Sequence, residues 1–167
     1  MTAVAAAASL ACTGLCVACL VYLHLAPTGY SPVADPVSAY GVGAYARWYR
    51  AQAACAGLAG ILLAVAVRHP AHVVVLLAVF GLARLAITQF PLDAARGPHV
   101  LLAVLAFGSV TSAAIRLKMD GTPALGWAML VGLLLGIALR RAAFGLAERA
   151  FYVAMLAWLA LVAARLV

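Results

Sequence analysis

The chain has 167 residues, of which 68% are hydrophobic and 9% charged, and its 11 Lys and Arg against 4 Asp and Glu give a formal charge of +7. Soluble domains carry roughly 25% charged residues, so a water-solvated globule is excluded and the bilayer has to be the solvent for this much apolar surface. In a soluble protein the basic excess would suggest nucleic acid, but here Arg68, Arg116, Lys118, Arg140, Arg141 and Arg165 stand scattered at the ends of apolar runs, where lipid phosphates meet them, and no nucleic acid is expected as partner.

A membrane span needs about 20 apolar residues, and six segments qualify. The first runs from Ala3 to Ala26 and stops at Pro27. It has no basic leader and its apolar run exceeds that of a secretion signal, so it is expected to stay as a transmembrane helix. Cys12, Cys16 and Cys19 recur on one of its faces, and with Cys55 they read as small packing residues, not as metal ligands. A long polar connection, Pro27 to Gly43, follows. The second span covers Ala44 to Arg68 and stops at His69-Pro70, and the third covers Ala71 to Phe90 and stops at Pro91. The remaining three cover His99 to Leu117, Ala124 to Leu139 and Ala143 to Leu166. Prolines at or just past the ends fit a residue that cannot continue a helix. Backbone satisfaction in lipid leaves helices or a closed barrel, and these lengths are helical. The prediction is an all-α, single-domain bundle of six transmembrane helices spanning residues 1–167.

Six spans place both termini on one face. That face has only the short links Arg68-His69-Pro70 and Lys118 to Pro123. The opposite face, called here the loop face, carries the long first connection, the Pro91 to Pro98 connection and the Arg140-Arg141 turn. A plain count of basic residues would put the loop face in the cytoplasm. Arginines tied up in a site are poor markers of orientation, however, and the expectation is a multi-pass protein of the cell membrane with cytoplasmic termini. Gly132 and Gly136 form a GxxxG pair that lets helices approach closely, within the chain or between chains.

Arg84 lies inside the third span. An ionisable group in hydrocarbon costs about 3 kcal/mol on insertion scales and so faces a partner or a wet cavity. It precedes Phe90 by six residues, which puts it roughly 9 Å below the loop face. Glu148 and Arg149, near the start of the sixth span, lie at a similar depth, and Arg84 and Glu148 are expected to pair or share one hydrogen-bonded network. His24, Asp35, Ser38, Arg47, Arg50, Thr88, Gln89, Asp93 and His99 gather at the same level. Each has a plainer reading as a cap, a loop residue or part of an interfacial belt; together they converge on one polar pocket.

Three stretches carry a family resemblance: Ser31-Pro32-Val33-Ala34-Asp35-Pro36-Val37-Ser38-Ala39-Tyr40-Gly41; Phe90-Pro91-Leu92-Asp93 followed by Gly97-Pro98-His99; and Gly145-Leu146-Ala147-Glu148-Arg149 with Trp158. Together they resemble the bacterial and archaeal membrane family called domain-of-unknown-function family nine-nine-eight, over nearly the whole chain. Ala39 stands where that family often has an acidic residue. The resemblance implies a six-helix integral membrane protein and supplies no activity. A more distant likeness, at the level of fold analogy, is to the FRAG/DRAM-like membrane proteins.

Four functions follow from these residues. The first is binding of a lipid headgroup or other anionic ligand by Arg47, Arg50, Arg84 and Arg149, with Glu148 orienting Arg84. The second is an intramembrane hydrolase or acyltransferase with Ser38 as nucleophile, His99 as base and Asp93 orienting it. A haem or metal protein using His24, His69, His72 and His99 ranks lower, because these histidines sit at helix ends, and no cofactor is expected. The fourth is a structural or accessory subunit whose charges only set helix registry. The first is the reading adopted.

Overall fold

The computed structural model describes residues 1–139 and 142–167; the basic turn Arg140-Arg141 used above lies outside the described residues. The described chain is helical: α1 is Thr2–Leu25, α2 Ala46–Val67, α3 Ala71–Ala86, α4 Arg96–Arg116, α5 Thr122–Ala138 and α6 Phe144–Ala164. Five of these helices, α2 and α3 counted with their adjoining 3-10 turns, are long and apolar enough to cross a bilayer. The sixth, α5, has 17 residues, about 26 Å of helix, at the lower limit for the hydrocarbon core. The protein is thus a multi-pass membrane bundle, as its composition requires.

Helix ends differ from the sequence expectation where proline is tolerated. Pro98 falls within the first turn of α4 and Pro123 within the first turn of α5. The first-turn amides have no helical acceptor in any case, so proline costs nothing there and both helices start earlier than a strict stop at proline implies. At the other end of α3 the helix tightens into a 3-10 turn, Ile87–Gln89, before Pro91.

Consecutive helices pack against one another, and α6 returns to α1 to close the ring. On α1 the buried residues Ala6, Ser9, Thr13, Cys16, Leu20 and Leu23 alternate by three and four positions. This is the seam of a left-handed helix pair, and it faces α2. Only Cys16 of the four free cysteines is buried on that seam. The Ser9 hydroxyl donates to the Ala59 carbonyl across the seam at 2.9 Å, and the Thr13 hydroxyl to Ser9 O at 2.9 Å, so neither is left unpaired in lipid. At the α2–α3 crossing a Cβ on Gly57 would stand 2.8 Å from the Gly81 carbonyl oxygen, so only glycine permits that approach. Gly132 and Gly136 face Phe151, Phe144 and Ala147 of the chain's own α6.

The outer surface is apolar, with Val17, Val65, Val75, Leu101, Val104, Val131, Leu134 and Val153 all exposed. This is not loose packing. The accessible area of 8101 Å² is close to the roughly 7,800 Å² of a compact globular protein of this mass. The exposed side chains are the lipid-facing belt.

Candidate functional site

The connection between α1 and α2 is not a free loop. It runs back over the bundle and turns in at a 3-10 segment, Val37–Gly41, whose Val37 and Tyr40 are buried. Four hydrogen bonds fasten it to the start of α6, three of them through the loop's backbone and one through the Tyr40 hydroxyl. The Val37 amide donates to Glu148 Oε2 at 2.7 Å, the Leu146 amide to Val33 O at 3.1 Å, and Arg149 Nη1 to Asp35 O at 2.9 Å. Gly145 is required here: a Cβ at that position would stand 2.8 Å from the Pro32 carbonyl oxygen and displace the loop.

Arg149 is the pin of this clasp, and each of its nitrogens has an acceptor. Nε donates to His24 Nε2 at 2.7 Å, Nη1 also to Gly145 O at 2.9 Å, and Nη2 to the Tyr40 hydroxyl at 3.0 Å. The guanidinium lies over the Tyr40 ring, 5.7 Å from its centroid. His24 Nδ1 meets the Leu20 carbonyl at 2.7 Å. A carbonyl only accepts and Arg149 only donates, so the imidazole is neutral with its proton on Nδ1.

Beneath the clasp lies Arg84, 1% exposed on α3. Its Nη2 donates to Gln52 Oε1 on α2 at 3.1 Å. The same oxygen takes the Cys16 thiol of α1 at 3.7 Å. An arginine has no acceptor, which fixes the Gln52 amide with its oxygen toward the guanidinium. The guanidinium lies 5.7 Å from the centroid of the Tyr152 ring of α6, and the Tyr49 phenol of α2 also stands beside it. Glu148 is within electrostatic reach of both Arg84 and Arg149. Among the described residues, Arg84 Nε and Gln52 Nε2 are buried with no acceptor.

Of the two arrangements expected from the sequence, a direct Arg84–Glu148 pair or one shared hydrogen-bonded network, the direct pair is not formed: each group has its own partner. Depth alone suggested it, but the Val37 amide of the loop takes the carboxylate and Gln52 takes the arginine. Gln52 and Tyr152 escaped the sequence reading, which took Cys16 as a packing residue and Tyr49 as part of an interfacial belt. Gln52 had a usable signal, since it lies six residues inside α2, about 9 Å deep like Arg84.

The remaining residues divide. Arg47 and Arg50 open α2 and are exposed, Arg47 lying over the Trp48 ring at 5.5 Å. His99 is buried, stacks on Tyr49 at 6.4 Å between centroids and meets Phe90 O through Nδ1 at 2.7 Å. Asp93 is exposed and its Oδ1 accepts from the Ala94 amide at 3.0 Å. The Phe90 carbonyl thus holds the position assigned to Asp93 in the hydrolase reading, because the Pro91 turn carries Asp93 outward while bringing Phe90 O back over the helix start. Ser38 is half-buried in the 3-10 turn. Among the described residues no group of three or more His, Cys, Asp and Glu could hold a metal ion.

The fold and site define a class: a multi-pass helical membrane protein with a loop clasped over a buried cationic cluster. The family model described as "Protein of unknown function (DUF998)" matches residues 10–165, and the chain belongs to this family. No curated protein and no solved structure matches the chain, so the likeness to FRAG/DRAM-like proteins has no support. Two of the stretches that carried the family resemblance meet in space. Ser31 to Gly41 and Gly145 to Arg149 are the two halves of the clasp, and Phe90 with His99 closes the neighbouring turn.

Proposed function

We propose that this membrane protein binds an anionic ligand, a carboxylate or phosphate borne by a lipid headgroup or a small molecule, in the cluster beneath the loop face, with Arg84 as its anchor. The observation that carries this reading is the contrast between two arginines of one cluster. Arg149 has acceptors on all three nitrogens, as a structural arginine should. Arg84 is more deeply buried, yet its Nε and the Nε2 of its partner Gln52 have none. Each such donor costs about 1–3 kcal/mol when left unpaired, and an anion would satisfy both. In this reading Glu148 and Arg149 hold the cover, while exposed Arg47 and Arg50 raise the local concentration of anions at its rim.

The test is native mass spectrometry of protein purified from its own membranes in mild detergent, followed by titration with inorganic phosphate, oleate and phosphatidylglycerol. The expected result is saturable binding of one anion class by the wild type and its loss in Arg84→Met, with the loop clasp intact by hydrogen exchange at Val37. Binding unchanged in Arg84→Met would overturn the proposal. So would a wild type that binds none of these anions while Arg84→Met unfolds, which would return the cluster to helix registry in an accessory subunit.

A further inference from the structure

The end of the bundle away from the loop face carries a second feature. The C-terminal ends of α2, α4 and α6 and the start of α3 surround a cavity of about 720 Å³. Its walls divide by chemistry. His69, His72, Arg116 and Lys118 supply four basic side chains, Val67, Ile115, Leu117, Met119 and Leu166 supply an apolar floor, and no Asp or Glu lines it. The acid close by in sequence, Asp120, gives its backbone carbonyl to Arg165 Nη1 at 2.6 Å. Basic residues scattered around a helix end would need only the general attraction of a membrane surface. Here they converge on one concavity with hydrocarbon below them.

We infer that this cavity is a binding site for one anionic phospholipid, its phosphate ester held by Arg116 and Lys118 with His69 and His72 at the rim, and the upper part of an acyl chain lying on the Val67, Leu117 and Leu166 floor. Phosphate chemistry alone would also suit a free anion. The apolar floor selects the lipid, because a small hydrated anion gains nothing from it. The site lies toward the other end of α3, about 18 Å of helix from Arg84 to His72, and does not depend on the Arg84 cluster.

The test uses the full chain in mild detergent, with phosphatidylglycerol and phosphatidylcholine added in turn and bound lipid counted by native mass spectrometry. Wild type and Arg84→Met should both keep one phosphatidylglycerol in preference to phosphatidylcholine at this cavity, so that any lipid lost in Arg84→Met is counted as belonging to the loop face. Arg116→Gln and Lys118→Gln should each weaken that preference about fivefold, the usual worth of one cation at an anionic surface. Arg96→Gln, which removes an exposed charge at the loop face, should leave it unchanged. Both cavity cations are exposed, so the variants should melt as the wild type does. Equal loss in Arg96→Gln would reduce the effect to general surface charge and overturn the inference, as would no preference between the lipids. Displacement of the lipid by millimolar inorganic phosphate would assign the site to a free anion instead.

Discussion

Arg84 Nη2 and Gln52 Oε1 meet at 3.1 Å, a cation and a neutral amide joined from two helices. A neutral acceptor offsets little of the cost of desolvating a guanidinium. If the arginine served stability, the fold would be expected to give it a carboxylate, yet the carboxylate in its electrostatic surroundings, Glu148, is bonded to the Val37 amide instead. Arg84→Met keeps the volume and removes the charge; a buried ion pair replaced by apolar residues of similar size is often neutral or stabilising by about 1–4 kcal/mol, and here no charge is left behind, because the remaining partner is a neutral amide whose oxygen keeps the Cys16 thiol. The melting temperature of Arg84→Met should therefore equal or exceed that of the wild type while anion binding is lost. A fall of several degrees would mark Arg84 as structural.

Glu148 carries a different burden. Its Oε2 accepts from the Val37 amide at 2.7 Å across 111 positions of sequence. Glu148→Gln keeps an oxygen that can accept the same bond and should cost no more than about 1 kcal/mol, whereas Glu148→Ala strands a buried amide and should cost about 1–3 kcal/mol. Hydrogen exchange at Val37 separates the cases, with fast exchange in the alanine variant alone. Equal exchange in both would mean the carboxylate charge, and not the hydrogen bond, holds the loop.

Arg149→Lys tests the pin. A lysine ammonium is a point charge on a flexible stem and cannot reproduce a planar fork that reaches His24, Asp35 O, Gly145 O and the Tyr40 hydroxyl together. Charge is kept, so an electrostatic role predicts little change. The geometry predicts a loss of about 2–3 kcal/mol, from several charge-assisted bonds partly replaced by one. It also predicts faster exchange at both Val37 and Leu146, whose amides are the clasp's own bonds.

The helices were legible in the sequence because each is a long apolar run, and lipid forces any such run to satisfy its backbone internally. The largest boundary shifts fall at Pro98 and Pro123, where first-turn proline is free of cost, and at the end of α3, which tightens into a 3-10 turn after Ala86. The depth of Arg84 was legible too, since rise per residue is fixed. Its partner was not. Depth gives a level but not a direction around the helix, and Glu148, Gln52, Tyr49 and Tyr152 all lie near that level. What decided between them was the path of the Pro27 to Gly43 connection, which turns inward at Val37 and takes the carboxylate first. The hydrolase grouping of Ser38, Asp93 and His99 was proposed on residue type alone, and the Pro91 turn sends Asp93 to the surface.

The Gly57–Gly81 crossing links packing to the site. A Cβ on Gly57 would stand 2.8 Å from Gly81 O, 3.0 Å from Leu85 Cγ and 3.1 Å from the Leu85 amide nitrogen, so movement of a side chain alone cannot relieve the backbone contacts. Gly57→Ala should cost about 1–3 kcal/mol by overpacking. Gly14, on the lipid-facing side of α1, has nothing within 4 Å of such a Cβ, and Gly14→Ala should be neutral or stabilising by up to about 1 kcal/mol through helix propensity. The two changes are chemically identical, so the difference reports helix approach alone. Gln52 lies on the same helix as Gly57, and Arg84 lies one turn beyond Gly81. Prising α2 from α3 should therefore stretch the Gln52–Arg84 contact, and Gly57→Ala should weaken anion binding along with stability while Gly14→Ala leaves both intact. Gly57→Ala protein that melts low but binds the anion as tightly as the wild type would show that the site does not depend on this crossing.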